Sequence, residues 1–154
     1  MVWEAAKALE QLHAQSAAPT LLRVLKRDDA VKQSAAAWLL GLLGVRGTIS
    51  SLKNAAFDSE LGIEVRGHAV EALGVMRADE AVPDLITLLS DVSPELRYWA
   101  AFALGQIGDP QSIPALEQMA STDVAVLPKD RSLKNEALDA LAAIRARQKD
   151  KLPR

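Results

Sequence analysis

Residues 96–119, LRYWAAFALGQIGDPQSIPALEQM, decide the fold. An alanine-rich apolar run ends at Gly108, Asp109-Pro110 follows, and a second apolar run begins at once. In the first run Leu96, Ala100, Ala103, Leu104 and Ile107 recur at helical spacing, preceded by Ser93-Pro94-Glu95, a capping serine with proline at the first helical position. The second run carries Pro114 near its start, where the first-turn amides have no helical partner to lose. The stretch therefore predicts two helices joined by a tight turn.

The same pattern lies upstream. In VRGHAVEALGVMRADEAVPDLITLLSD, from Val65, Gly74 falls on Gly105 and Pro83 on Pro114, with nine residues from glycine to proline in both. VKQSAAAWLLGLLGVRGTISSLKNAAFD, from Val31, places Gly41 in register and Ser50 nine later, and WEAAKALEQLHAQSAAPTLLRVLKRDD, from Trp3, places Glu10 and Pro19 likewise. LKNEALDALAAI, from Leu133, supplies one more first helix with Ala142 at the marker. The markers 10, 41, 74, 105 and 142 are separated by 31, 33, 31 and 37 residues. A period near 30 is the signature of stacked helical units. The expectation is an all-α, right-handed α-α superhelix of about 4.5 helical pairs in one domain, with units near 1–28, 29–61, 62–92 and 93–122, a terminal helix over 131–148 and a polar tail over 149–154. Buried second-helix positions are then Leu85, Leu88 and Leu89 in the third unit and Leu21, Val24 and Leu25 in the first, and Trp38 is assigned to the core beside its alanines.

Composition agrees with one soluble domain. A chain of 154 residues buries about two thirds of its unfolded surface without staples. It has no cysteine and only two histidines, His13 and His68, so neither disulfides nor a metal site is expected. A net charge of −2 gives no overall basic footprint for nucleic acid. The N-terminal residues lack a leader pattern and no apolar run is long enough to span a bilayer, so a cytoplasmic protein without membrane contact is expected.

VRGHAVEALG, AVPDLITLLSD and the opening stretch resemble the short HEAT-like repeats first described in phycobilisome lyases, strongly over 63–121 and weakly in the second unit, where TISSLKNAAF lacks the proline. The resemblance implies the superhelical fold. It also implies, as an alternative function, a bilin lyase-like subunit, since related chains work in pairs and handle a tetrapyrrole. Two other HEAT-like enzymes are less well matched. Deoxyhypusine hydroxylase uses repeated His-Glu pairs for iron, which are missing here, and alkylpurine DNA glycosylases need a sustained basic face.

No Ser/His/Asp, phosphate-loop or metal pattern is present. The main expectation is accordingly a non-enzymatic module, without cofactor, binding a protein or peptide partner on its concave face. The second helices of such solenoids usually line that face. Their outward positions are Arg23, Lys26 and Arg27, then Lys53 and Asn54, then Asp84 and Thr87, then Glu117 and Gln118, passing from basic to acidic. Tyr98 and Phe102 form a second candidate contact surface, and Trp99 is expected to pack beside His68. Lys32, Arg66, Arg97 and Lys134 recur just inside each first helix and predict a ladder with the preceding acidic residues. The segment 122–132 interrupts the period as a longer loop, and the N-terminal edge, with Val2 and Trp3, is expected to be open to self-association.

Overall fold

The computed structural model describes the backbone of residues 2–27 and 29–150, and the side chains of residues 12, 13, 15–27 and 29–150. Val2, Trp3 and the marker Glu10 lie outside the described side chains, as do the last four residues of the polar tail. The described residues form eight α-helices: α1 (Val2–Arg27), α2 (Ala30–Leu43), α3 (Ile49–Phe57), α4 (Ile63–Val75), α5 (Val82–Leu88), α6 (Pro94–Ile107), α7 (Ile113–Thr122) and α8 (Leu133–Asp150). A hairpin of β1 (Val126–Leu127) and β2 (Arg131–Ser132) precedes α8. Helices α2, α4, α6 and α8 stack side by side in one layer, and α3, α5 and α7 each pack on the following member of that layer far more than on one another. The chain is a helical solenoid.

The recurring glycines have a steric cause. A Cβ on Gly41 would lie 2.7 Å from the Ala72 Cβ, one on Gly74 2.6 Å from the Ala103 Cα, and one on Gly105 2.9 Å from the Ala140 Cα. Each receiving alanine stands two residues before the next marker, so every junction of the first layer closes glycine on alanine and brings backbones into direct contact. Three residues after each marker the chain passes through left-handed backbone, at Gly44 (φ 65°), Arg77 (φ 49°) and Gly108 (φ 85°). One 3-10 turn follows in each case, at 46–48, 79–81 and 110–112, and launches the second helix. Buried Thr48 and Ser112 donate their hydroxyls to the carbonyls of Val45 and Asp109, at 2.7 and 2.6 Å, so these turns enclose no unsatisfied hydroxyl. The Ser93 hydroxyl accepts the Leu96 amide at 3.3 Å and caps α6. The core is the expected set: Val65, Ala69, Leu73, Leu85, Leu88, Leu96, Ala100 and Leu104 are enclosed.

The first unit departs from the two-helix expectation, because α1 runs unbroken through Pro19. The other units break at a left-handed residue, whereas HAQSAAPT offers no glycine and supplies alanines, the strongest helix formers. Pro19 and Gln15 are both exposed, so the carbonyl that loses its helical donor lies on the wet side of the helix. Leu12 and His13 are exposed too. Trp38 also departs from expectation: it is 45% exposed. Its alanine neighbours leave no hole to fill, because α4 comes close enough to occupy that space.

Arginines tie successive turns together. Arg66 donates from Nε to the Ala56 carbonyl at 3.0 Å and reaches Asp91 at 3.6 Å. Arg97 donates to both Asp123 oxygens, at 2.6 and 3.3 Å, and to the Asp91 carbonyl at 2.9 Å. Burial raises the Asp123 carboxyl, but the Arg97 bonds and the Ala125 amide outweigh it and hold the group below its ordinary value. Lys32 instead pairs at 3.1 Å with Asp29, three residues back, and Lys134 is exposed.

Candidate functional site

Two depressions open between second helices. One depression of about 410 Å³ lies between α3 and α5 and is lined by Lys53, Asn54, Phe57, Asp58 and Asp84. A second, of about 290 Å³, lies between α5 and α7, over Ile86, Leu89, Ala115 and Met119, with Ser90, Gln118, Thr122 and Asp123 around them. Both exist because short helices resting on a tightly stacked layer meet that layer far more than they meet one another.

Four of the outward residues read from the sequence are brought to these depressions. Lys53, Asn54 and Asp84 share the first, where the Lys53 ammonium pairs with the Asp84 carboxylate and also donates to the Glu80 carbonyl at 3.4 Å. Gln118 lines the second. Thr87 is exposed and turns its hydroxyl back to the Asp84 carbonyl at 2.7 Å. Glu117 pairs with Arg145 of α8 at 2.5 Å. Arg23, Lys26 and Arg27 are exposed on the last turns of α1 and line neither depression, and Arg23 donates to the Thr20 hydroxyl at 3.3 Å. The basic-to-acidic ridge thus contains two pairs of opposite charge that bridge adjacent units. Phe57, Ile86, Ala115 and Met119 were not singled out beforehand; Phe57, 43% exposed at the end of α3, carried the one available signal, a bulky ring where a short helix stops.

Tyr98 and Phe102 stand elsewhere, on α6 in the first layer. Trp99 meets both rings edge to face, with centroids 5.5 and 5.6 Å away, and lies over Gly67, where a Cβ would come 3.0 Å from its Cδ1. His68 meets Glu71 at 3.0 Å. The insertion 122–132 is ordered against this cluster. Lys129 and Asp130 both take positive φ in the three-residue turn 128–130 that closes the hairpin, and Arg131 lies 5.2 Å over the Tyr98 ring.

Desolvation, then a hydrogen bond to Glu136, pushes the Tyr98 hydroxyl up to about 12. Burial raises the Glu136 carboxyl in turn, while the bond donated by Tyr98 works against that rise. Tyr98 is the chain's one tyrosine, so alkaline ultraviolet titration reads it alone. A midpoint near 12 is expected in the folded protein, against about 10 unfolded. Because the folded state holds the proton more tightly, the associated stability is complete below the unfolded value and is lost as pH rises through the folded one. Glu136→Gln should lower the midpoint; an unmoved midpoint would remove Glu136 as a contributor and leave desolvation.

Among the described residues no three His, Asp or Glu side chains gather as a metal site, and no helix is long and apolar enough to cross a membrane.

Comparison with known proteins extends these observations. Residues 59–142 match the HEAT repeats family and residues 2–27 match the PBS lyase HEAT-like repeat. The bilin biosynthesis protein PecE of Nostoc sp. strain PCC 7120 is 32% identical over 103 residues, covering 63% of this chain and 41% of PecE. Deoxyhypusine hydroxylase-B of Oryza sativa subsp. japonica is 41% identical over 93 residues, covering 57% of this chain and 30% of that protein. The solved complex of CpcE and CpcF of phycocyanin lyase from Nostoc sp. PCC 7120 matches with a TM-score of 0.71 and 27% identity, over 85% of this chain and 54% of the matched one. The chain thus spans about half, or less, of the length of these relatives. The likenesses to CpcE/CpcF and PecE overturn the main expectation of a non-enzymatic scaffold. That expectation rested on missing catalytic motifs, yet proteins with the same repeat are named for lyase and biosynthetic work. By the match over more than half of its residues, the chain belongs to the HEAT repeats family.

Proposed function

We propose that this chain is a bilin lyase-type subunit that handles a linear tetrapyrrole and acts with a protein partner. The observation that carries the reading is the likeness to the phycocyanin lyase complex, in sequence as well as fold, over 85% of the chain. The similarity to PecE points the same way. In the solved relative CpcE is bound to CpcF, which supports a paired mode of work here.

The two depressions on the second-helix side suit the chemistry of such a ligand. A linear tetrapyrrole is a long conjugated body with pyrrole nitrogens along one edge and two propionate carboxylates. Ile86, Leu89, Ala115 and Met119 offer apolar support for the rings, and Phe57 a face for stacking. Lys53 is the cation placed to meet a propionate, by exchanging its bond to Asp84, and the freed Asp84 carboxylate accepts from pyrrole N–H groups.

The test is titration with phycocyanobilin, first alone and then with an apo-phycobiliprotein subunit as acceptor. A shifted and sharpened visible band, weakened in Lys53→Glu at unchanged helicity, is the expected result. A spectrum that stays that of free pigment in both mixtures rejects the reading.

A further inference from the structure

The second helices repeat in register, and the register marks one junction as different. Twelve residues after the glycine markers 41, 74 and 105 stand Lys53, Ile86 and Glu117, and ten residues after markers 74 and 105 stand Asp84 and Ala115. Lys53 bridges to Asp84 across the α3–α5 gap, and Glu117 bridges to Arg145 of α8. The corresponding pair across the α5–α7 gap is Ile86 and Ala115, both half-buried and both lining the second depression. A further bridge follows the same rule. Arg46, five residues after its marker, meets Glu80 at 2.8 Å, while the matching Asp79 and Gln111 are exposed and no bond joins them. Among the described residues no hydrogen bond or ion pair crosses from residues 79–90 to residues 110–122. An apolar guest entering between α5 and α7 therefore displaces no charge pair.

The lining selects the kind of guest. Leu89 and Met119 are buried and floor the gap under Ile86 and Ala115. No cation lines it, and the carboxylate at its rim, Asp123, is already held by Arg97 at 2.6 Å. A propionate would lose its hydration there and gain no partner. In a linear tetrapyrrole the two inner rings carry the propionates, whereas each terminal ring carries alkyl groups and a lactam with N–H and C=O on one edge. Gln118, exposed at the rim, matches that edge. Its backbone carbonyl accepts the Ser121 and Thr122 hydroxyls at 2.8 and 2.9 Å, while its side-chain carboxamide makes no bond among the described residues. Carboxamide and lactam each offer an N–H and a C=O, so two hydrogen bonds can close between them.

Resting on the reading of the chain as a bilin-handling subunit, we propose that the α5–α7 gap seats one terminal lactam ring, admitted by Ile86 and Ala115 and read by Gln118. At about 290 Å³ the gap is small for a whole ligand and holds only part of one. The exposed side chains of α5 are Pro83 and Thr87, both short. Over that low ridge the next ring, with its propionate, reaches Lys53 in the neighbouring gap.

Two variants and two pigments test the proposal. Ile86→Lys with Ala115→Asp places in this gap the pair that Lys53 and Asp84 form one unit earlier, in the same register, so helicity should be kept. Gln118→Leu, at an exposed position, removes only the amide. The pigments, followed by absorbance, are phycocyanobilin and the methyl ester of a dipyrrinone, an uncharged fragment in which one lactam ring is joined to one pyrrole. Both should bind the parent chain. The double variant should lose the dipyrrinone and hold phycocyanobilin about tenfold more weakly or worse, and Gln118→Leu should weaken both pigments by about threefold. A double variant that binds both as tightly as the parent overturns the seat and leaves the bilin reading standing. Dipyrrinone binding that the double variant abolishes, in a chain that ignores phycocyanobilin, upholds the seat and overturns the bilin reading. A parent chain that binds neither overturns both, and unchanged affinities in Gln118→Leu overturn the lactam contact.

Discussion

Gly74→Val should lower the melting temperature of the chain by roughly 6–12 °C, the equivalent of about 3 kcal/mol for a protein of this size. A Cβ at this position would lie 2.6 Å from the Ala103 Cα and 2.9 Å from its Cβ, so the obstacle is the backbone of α6, which has no rotamer to escape through. Relief requires α4 and α6 to separate, and separation propagates to the turns that Arg66 and Arg97 hold on either side. Gly74→Ala tests the balance more finely. It gains up to about 1 kcal/mol of helix propensity yet meets the same obstacle, and should still be net destabilising. Gly47→Ala, where a Cβ meets nothing within 4 Å, is the matched control and should be neutral within about 0.5 kcal/mol. Thermal circular dichroism of the three variants decides the matter: equal stability of Gly74→Val and the parent would mean that the first-layer backbones do not touch.

Leu104→Ala should cost about 2–5 kcal/mol. Leu104 is fully buried on α6, the helix that contacts α4, α5 and α8, so the lost methyl groups leave a void that none of three neighbours can close without moving the others. Because each unit touches only its neighbours, the damage should be graded along the chain. Amide exchange ought to accelerate most over 94–122 and least in α2. Chemical denaturation measures the total; a loss under about 1 kcal/mol would show that the solenoid relaxes around the gap.

The periodic features were legible in the sequence because each is imposed by a local steric rule. Glycine at 41, 74 and 105 marks the period, and the contacts to Ala72, Ala103 and Ala140 explain why the period exists. Ser93 declared the start of α6, and Gly44 and Gly108 the ends of α2 and α6. What could not be read was anything set by distance between helices. Trp38 among alanines looked like a filler until α4 proved close enough to need none, and Leu89, read as a buried second-helix residue, is buried and also floors the gap between α5 and α7. Pro19 matched the period by position, but its surroundings lack the left-handed residue that breaks the other units. Residues from adjacent units, such as Lys53 and Asp84, meet because the period is regular, so their meeting was implicit in the alignment while their mutual neutralisation was not. Function lay furthest from local rules, since a repeat that supplies only backbone geometry carries no reacting group by which to recognise its chemistry.

The two layers are built to different mechanical standards. In one, glycine on alanine joins the units like the stitched spine of a book; in the other, helices of seven to ten residues lie side by side like pages, bound at the spine and linked at the edge by polar side chains such as Lys53 to Asp84. Small rotations at each stitched joint would therefore change little in the spine while widening or narrowing the spaces between the pages. Opening of that kind would share its strain over several joints and concentrate it at none.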